Sequence, residues 1–440
     1  MLKKVKLFKE NKSSKTKVFL LNTYYNFIFV GLKMVLNLLM VPLLLTYIKE
    51  ERYGIWQTTL SLVSFITVLN FGYPNGLRNL ITKILINTSS KNIIGEAIGA
   101  TYLKVGKITV LISIIIIPII YFFVDPNFLF FETPIPSKEI TYSLILFTSF
   151  YLINNVLILS DSIAFGYQKS YLTSFFQFIY FLLCYILIYF IGKKVNLNLI
   201  HISIIFGATQ SVSYLLFIFY EKRRFNINIK FNSKFSLSET NKLSFHFFLA
   251  HLLAIIFLAI DNFIISSTLG AEETTKFSIV NRIFFTLVTF FSILLIHFWN
   301  SVTDAFEKKE FLWILKTVRV LYAISFGLFF IGLAISFFQK DIINIWLENN
   351  NLALESLTFY LFSIYILFHC LNAIFLNLQN GLGFLKIQIY TTTLALLLYT
   401  IGCYFIDIKL HGYNIIIILK IIVMAISTLL NSFILKKIKK

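Results

Sequence analysis

The feature that most constrains this chain is a recurring one. Stretches of twenty or more mostly apolar residues follow one another from residue 18 almost to the C-terminus, broken only by short polar turns. A helix needs about 20 such residues to cross the hydrocarbon of a bilayer. Twelve stretches of that kind occur, at 18–45, 53–73, 103–124, 140–165, 170–192, 197–220, 243–269, 277–302, 314–338, 355–378, 385–406 and 412–435. None shows the strict alternation of a barrel strand. Tyr, Trp and Phe crowd several ends, as at Tyr53, Trp56 and Trp346, where interfacial anchoring is expected. Hydrophobic residues make up 58% of the chain and charged ones only 13%, which excludes a soluble enzyme or a disordered protein. The expectation is an all-α polytopic membrane protein.

The formal charge of +19 is a matter of topology before it is a matter of partners. With an even number of spans and both termini cytoplasmic, 28 of the 39 Lys and Arg fall in cytoplasmic segments, eight in outside loops and three in spans. That asymmetry follows the positive-inside rule. Contact with anionic membrane lipid follows from it, and nucleic acid is not called for. The lysine-rich N-terminus is too long for the n-region of a cleaved leader. Cys184, Cys370 and Cys403 sit in apolar runs without paired spacing, so neither a disulfide framework nor a metal site is expected.

The longest polar stretch, 221–242, is a basic linker between an N-terminal six-helix lobe, 1–220, and a C-terminal six-helix lobe, 243–440. The lobes share an echo. A Glu-Glu pair and then Tyr53-Gly54-Ile55 in the first matches a Glu-Glu pair and then Phe277-Ser278-Ile279 in the second. No loop on the outer side, including those near Asp125–Glu139 and Gln339–Ser356, has room for a folded domain.

Polar groups inside spans are costly and tend to be functional. Asn22, Asn26, Lys33 and Asn37 fall on one narrow stripe of the first span. Arg282, Thr286, Thr289, His297 and Asn300 share a side of the eighth. Asn154, Asp161 and Gln168 align on the fourth, His246 and Asp261 on the seventh, and Lys420, Ser427 and Asn431 on the twelfth. Such stripes line a polar cavity between bundles or join helices by hydrogen bonds. The span cations Lys33, Arg282 and Lys420 outnumber the span acids Asp161 and Asp261, which suits an anionic substrate, phosphate above all. Asp261 is placed to pair with Arg282 across the seventh–eighth hairpin, and Lys420 either lines the cavity or snorkels outward. Residues 76–91 read as an amphipathic segment on the inner surface, where Arg78 and Lys83 can receive a phosphate headgroup. His246 and His251 are five apart and splay around the helix, so they are no metal pair. No nucleotide-binding or hydrolase motif is present, and no catalytic residue is assigned.

Two runs resemble a known family. Glu51-Arg52-Tyr53-Gly54-Ile55-Trp56, with Leu69-Asn70-Phe71-Gly72-Tyr73-Pro74-Asn75-Gly76-Leu77-Arg78-Asn79, is similar to the N-terminal signature of bacterial O-antigen and polysaccharide flippases of the Wzx type. Asp261-Asn262-Phe263-Ile264-Ile265, Gly270 and Phe277-Ser278-Ile279 with Arg282 resemble that family's seventh and eighth spans. The motifs are shared in part with the wider multidrug/oligosaccharidyl-lipid/polysaccharide exporter superfamily. The resemblance implies a MATE-like, V-shaped transporter of twelve transmembrane helices in two six-helix lobes. It implies alternating access in the bacterial inner membrane, with an oligosaccharide on a polyprenyl pyrophosphate as substrate. It makes the protein a component of O-antigen, lipopolysaccharide or other surface-polysaccharide biosynthesis, associated with polysaccharide-assembly proteins. Asn70 stands where the family often has an acid, and the first span has Lys33 but no carboxylate, unlike cation-loading drug exporters. No cofactor is implied; a proton or sodium ion is left as the coupling ion.

The substrate-binding set expected from sequence is therefore Lys33, Arg282, Asp261, Arg78, Lys420, Asn26, Asn37, Asp161 and Asn154. The alternatives are a multidrug exporter of the same fold and, behind it, a membrane glycan polymerase or ligase. The latter class tends to need a large outer loop, which this chain lacks.

Overall fold

The structure is a computed structural model. It describes residues 2–435 apart from 88–89, 131–132, 232–237, 308, 348–351 and 383. The side chains of His246, His251, His297 and Asn300, which the sequence places on polar faces, lie outside the described residues, as do Lys436, Lys437, Lys439 and Lys440.

The first lobe begins with α1 (Leu2–Ser64), which turns back at Lys49, where φ is 64° and ψ 175°. A 3-10 turn (Phe65–Asn70) leads into α2 (Tyr73–Asn87) and α3 (Lys91–Phe123). Then come the short α4 (Pro126–Leu129), α5 (Ser137–Leu157), α6 (Leu159–Gly166), α7 (Ser170–Gly192) and α8 (Leu199–Arg224). The second lobe holds α9 (Ser238–Thr268), α10 (Ala271–Glu307), α11 (Phe311–Phe337), the short α12 (Gln339–Leu347), α13 (Ser356–Leu382), α14 (Leu385–Phe405), the one-turn α15 (Ile408–His411) and α16 (Asn414–Ser432). Among the described residues, ten helical stretches are long and apolar enough to span a membrane. The first of them, Tyr24–Asn70, contains the reversal at Lys49, and α9 contributes a shorter apolar stretch, Leu252–Thr268. Counting both limbs of α1 and α9 recovers the twelve spans read from sequence.

Local chemistry sets several of these boundaries. Phe71 and Gly72 both have positive φ, 50° and 75°, and the Gly72 amide donates to Asn70 Oδ1 at 3.1 Å. The Asn-Phe-Gly motif is thus a side-chain-closed turn that launches α2, and glycine is the residue that accepts this backbone freely. Pro42 lies inside α1 and has no N–H for the Leu38 carbonyl. That carbonyl accepts instead from Trp346 Nε1 of the other lobe at 3.1 Å. Gly270, at φ 95°, ends α9, and its amide donates back to the Ile265 carbonyl.

We call the end of the bundle with the Lys49 and Gly270 reversals the turn end, and the opposite one the tail end. At the turn end the lobes are in direct contact. A Cβ on Gly54 would lie 1.8 Å from the Ala271 carbonyl oxygen, and Thr275 donates to the Glu50 carbonyl at 2.6 Å. Ala271, Ile279, Leu347 and Leu352 of the second lobe are buried in the apolar core of the first. The two echoed segments therefore pack on one another. Arg52 grips Glu139 through two oxygens at 2.7 and 3.1 Å, and Glu139 also accepts from the Leu199 amide at the start of α8. Tyr53 and Trp56 are fully buried; Trp56 packs on Phe147 and Phe206 with ring centroids 4.6 and 5.0 Å away. This corrects the interfacial role expected for them: they are core residues of the first lobe. At the tail end α2 and the turn before it pack on α9, with Phe71 stacked on Phe248 at 5.1 Å, and Phe27 pairs with Phe290 at 6.1 Å.

The linker is not a free loop over its described part. Helix α8 runs on to Arg224, and residues 228–231 then lie along α3, with the Lys230 amide donating to the Gly95 carbonyl at 3.1 Å. Gly95 and Gly99, one turn apart, open the groove. A Cβ on either would come within 1.9 Å of the Asn228 oxygen or 2.1 Å of the Lys230 oxygen.

Candidate functional site

One polar centre of the membrane-spanning part lies between the lobes. Arg282 of α10 donates from Nη1 to Asn37 Oδ1 at 2.8 Å and to the Asn37 carbonyl at 3.4 Å, and from Nη2 to Gln57 Oε1 at 3.2 Å. All these acceptors are neutral and belong to the other lobe. Asn262 crosses the same interface, donating to Ser61 at 2.7 Å and accepting from Ser278 at 3.2 Å. Around Arg282 is a cavity of about 230 Å³ lined by Met34, Asn37, Gln57, Asn281, Thr286 and Thr289 among others. Among the described residues, Arg282 is the only ionisable group in its lining, which gives the cavity a positive field in a low-dielectric surround.

The second centre lies inside the second lobe. Asp261 is 5% exposed and Lys420 4%. Lys420 Nζ forms a short ion pair with Asp261 Oδ2, and Tyr399 donates its hydroxyl to Oδ1 at 2.6 Å. The ammonium lies 4.8 Å from the Phe257 ring centroid and 5.6 Å from that of Tyr399, a cation–π surround that offsets part of its lost hydration. A small cavity of about 70 Å³ adjoins the pair and shares Asn281 and Phe285 with the interlobe cavity.

One expectation is corrected here: Asp261 does not hold Arg282. Of the two readings open for Lys420, the outward-snorkelling one does not hold. The depth of the Asp261–Arg282 match is right, since Gly270 lies between them. The facing is wrong, because successive helix residues turn by about 100°. Asp261 points into its own lobe and Asn262, next along, takes the interface.

The remaining sequence candidates are scattered. Lys33 donates to Gln177 Oε1 at 3.0 Å in the α1–α7 seam, one turn toward the tail end from Asn37. Asn26, in the same seam, donates to Ser170 at 3.0 Å and accepts from Ser174 at 2.6 Å. Asn154 is buried between α5 and α8, bonded to Gln210 and Ser211 at 3.1 and 2.8 Å, so it joins two helices of one lobe. Asp161 lies on α6 beyond a break at Ile158, and Gln168 leaves the helix at φ 57°, so the sevenfold alignment of the fourth span is interrupted. Arg78 sits on α2 with its guanidinium 5.0 Å from the Phe165 ring centroid and lines neither cavity. The polar face of α16 below Lys420 is also internal: Ser427 and Asn431 bond Asn372, and Gln379 bonds Asn431 at 2.7 Å.

Sequence reasoning missed Gln57 and Tyr399, and gave Trp346 an interfacial role where it bonds the Leu38 carbonyl of the other lobe. Gln57 had a signal, a lone amide in an apolar run. Tyr399 had none, since tyrosines are plentiful in this chain.

No protein-family model matches the sequence, and no curated protein does. Solved structures match over nearly the whole length. An inward-facing multidrug-resistance MATE family transporter of the MOP superfamily aligns with a TM-score of 0.72 at 13% identity, covering 95% of this chain and 99% of its own. A MOP superfamily transporter from Pyrococcus furiosus, whose binding pocket is described as reversed in polarity, aligns at 0.69 and 13%, covering 96% of each. A Vibrio cholerae MATE transporter, VcmN, aligns at 0.63 and 13%, covering 96% and 98%. The chain is thus an all-helical, multi-pass membrane protein with the V-shaped fold of the MATE transporters.

Proposed function

We propose that this protein is a transporter, and that its cargo is an anionic lipid-linked glycan: a polyprenyl-pyrophosphate oligosaccharide flipped across the bacterial inner membrane with both termini cytoplasmic. The observation that carries the reading is the interlobe cavity, whose lining holds one arginine and no acid. A pyrophosphate cannot enter hydrocarbon without replacement of its hydration. Arg282 already spends N–H groups on amide oxygens, which are weaker acceptors than phosphate oxygens, so an arriving phosphate displaces Asn37 and Gln57 and gains charge-assisted, two-pronged bonds. Because those amides belong to the other lobe, the exchange loosens one lobe from the other. The volume of about 230 Å³ suits a phosphate group; the sugars need the lobes to part, while the polyprenyl tail stays in lipid.

The second reading is a multidrug exporter, favoured by the multidrug MATE transporters among the structures of the same fold. A lining without an acid weighs against cationic drugs as its cargo.

The test is complementation in a deletion strain. With Arg282→Gln, and separately Lys33→Gln, surface glycan is expected to fall at least about tenfold at unchanged protein level. Normal glycan with either variant removes that residue from substrate binding. Sensitivity to cationic dyes in the deletion strain, with intact glycan, favours the exporter.

A further inference from the structure

The interlobe cavity has an annex. The small cavity of about 70 Å³ beside the Asp261–Lys420 pair meets it at Asn281 and Phe285, which line both. Asn281 precedes Arg282 on α10, so its side chain leaves the helix about 100° away from that of the arginine. The other amides of the interlobe cavity are committed. Asn37 and Gln57 accept from Arg282, and Asn262 bonds Ser61 and Ser278. The Asn281 side chain makes no hydrogen bond with any described residue. A carboxamide left unspent inside a membrane protein is costly unless something else satisfies it.

The annex limits what that can be. Lys420 and Asp261 cancel one another on its wall, so it has no net charge to offer a second phosphate or a carboxylate. Much of the rest is apolar: Phe277, Phe285 and Phe362 on the aromatic side, Ile416 and Ile417 on the aliphatic. One water-sized group needs about 10–15 Å³ of such space, so a cavity of about 70 Å³ takes roughly five and is too small for a sugar ring. A bare hydroxyl would leave most of the apolar wall without contacts. An N-acyl amino substituent matches on each count. It is neutral and of that size, its methyl meets the aromatic and aliphatic walls, and its carbonyl can accept from Asn281 Nδ2.

We propose that this annex reads an N-acyl amino group, an acetamido in the simplest case, on the sugar next to the phosphate, and that Asn281 thereby determines cargo specificity. A sugar phosphate substituted at the carbon beside the anomeric one carries its acetamido close to its phosphate, as Asn281 stands next to Arg282 in the chain. Arg282 then reads charge and Asn281 reads a neutral amide. A cargo lacking the amide leaves Asn281 unpaired and the annex unfilled, which is how a polar site rejects an analogue. The place of the annex in the cargo site rests on the phosphate reading of Arg282 above; its preference for an acetamido does not.

The test uses full-length protein in detergent and three ligands: N-acetylglucosamine 1-phosphate, glucose 1-phosphate and methyl N-acetylglucosaminide. Binding is read by NMR as saturation passed from the protein's aromatic protons to the ligand. The acetyl methyl is expected to receive the strongest transfer, and the N-acetylated phosphate to bind at least about tenfold more tightly than glucose 1-phosphate. Asn281→Ala should bring that ratio within about twofold and leave glucose 1-phosphate binding nearly unchanged. Leu258→Phe, which adds bulk to the annex wall from an exposed position, should do the same. Arg282→Gln should weaken both sugar phosphates alike and spare the phosphate-free glycoside. Equal affinities for the two phosphates in the unaltered protein overturn the annex, and so does a preference that survives both Asn281→Ala and Leu258→Phe. If those equal affinities still depend on Arg282, the phosphate reading stands alone. If the glycoside binds through its acetyl group and phosphate adds nothing, the annex stands and the phosphate reading falls. Absence of binding by all three overturns both.

Discussion

At the residue scale, the buried Lys420 and the half-buried Arg282 make opposite predictions. Lys420 is neutralised by Asp261, so removing one partner leaves a buried charge uncompensated, at a cost of about 3–5 kcal/mol. Lys420→Met alone is expected to lower the melting temperature in detergent strongly. Asp261→Asn with Lys420→Met should recover most of the loss. If the single and double variants melt alike, the pair is not a coupled unit. Arg282 rests on neutral amides, and Arg282→Gln should leave the melting temperature nearly unchanged while transport is lost. A thermal shift for Arg282→Gln as large as that for Lys420→Met would make it a structural residue instead. Both side chains were visible in the sequence as charges in apolar runs. Which one has a carboxylate partner was not. Periodicity places a residue on its own helix but does not say which neighbouring helix that face meets, so Asp261 could be assigned the right depth and the wrong partner.

At the element scale, twelve spans were legible because the bilayer imposes length and apolarity on each. Breaks within a span were less so. The interruption of the fourth span at Ile158 and the helical start of α3 at Lys91 leave hydropathy unchanged, yet they decide where Asp161 and Gly95 point. The Gly95–Gly99 groove gives a direct test. A methyl group at Gly95 collides with backbone, not with a flexible side chain, so the strap over 228–231 must lift away. Gly95→Ala is expected to raise the rate of tryptic cleavage after Lys230 about tenfold, a local-opening effect. An unchanged cleavage pattern would show the groove tolerating the strap in another register.

At the scale of the whole molecule, the two lobes share core residues at the turn end, and at the tail end α2 packs on α9, with the Phe71–Phe248 and Phe27–Phe290 ring pairs among the described contacts. At Gly54 the lobes approach so closely that a Cβ would lie 1.8 Å from the Ala271 carbonyl oxygen. Gly54→Val should pry the turn end apart without unfolding either lobe. With Cys184, Cys370 and Cys403 replaced, a cysteine at Ser278 should react faster with a membrane-impermeant thiol reagent in that background, and equal rates would place the hinge elsewhere. The echo between Tyr53-Gly54-Ile55 and Phe277-Ser278-Ile279 hinted at related lobes, but not that the related segments pack against each other. That contact depends on the backbone reversals at Lys49 and Gly270, and Lys49 is a residue whose identity gives no warning of a positive φ. The adjacency of Asp261 and Asn262 has a mechanical consequence. One residue is keyed to the interior of the second lobe and its neighbour to the face of the first, so α9 behaves as a camshaft with two lobes at a fixed phase. Any axial rotation that frees the Asn262 follower must also turn the Asp261 one, and the angle between them, set by the pitch of the helix, fixes the timing.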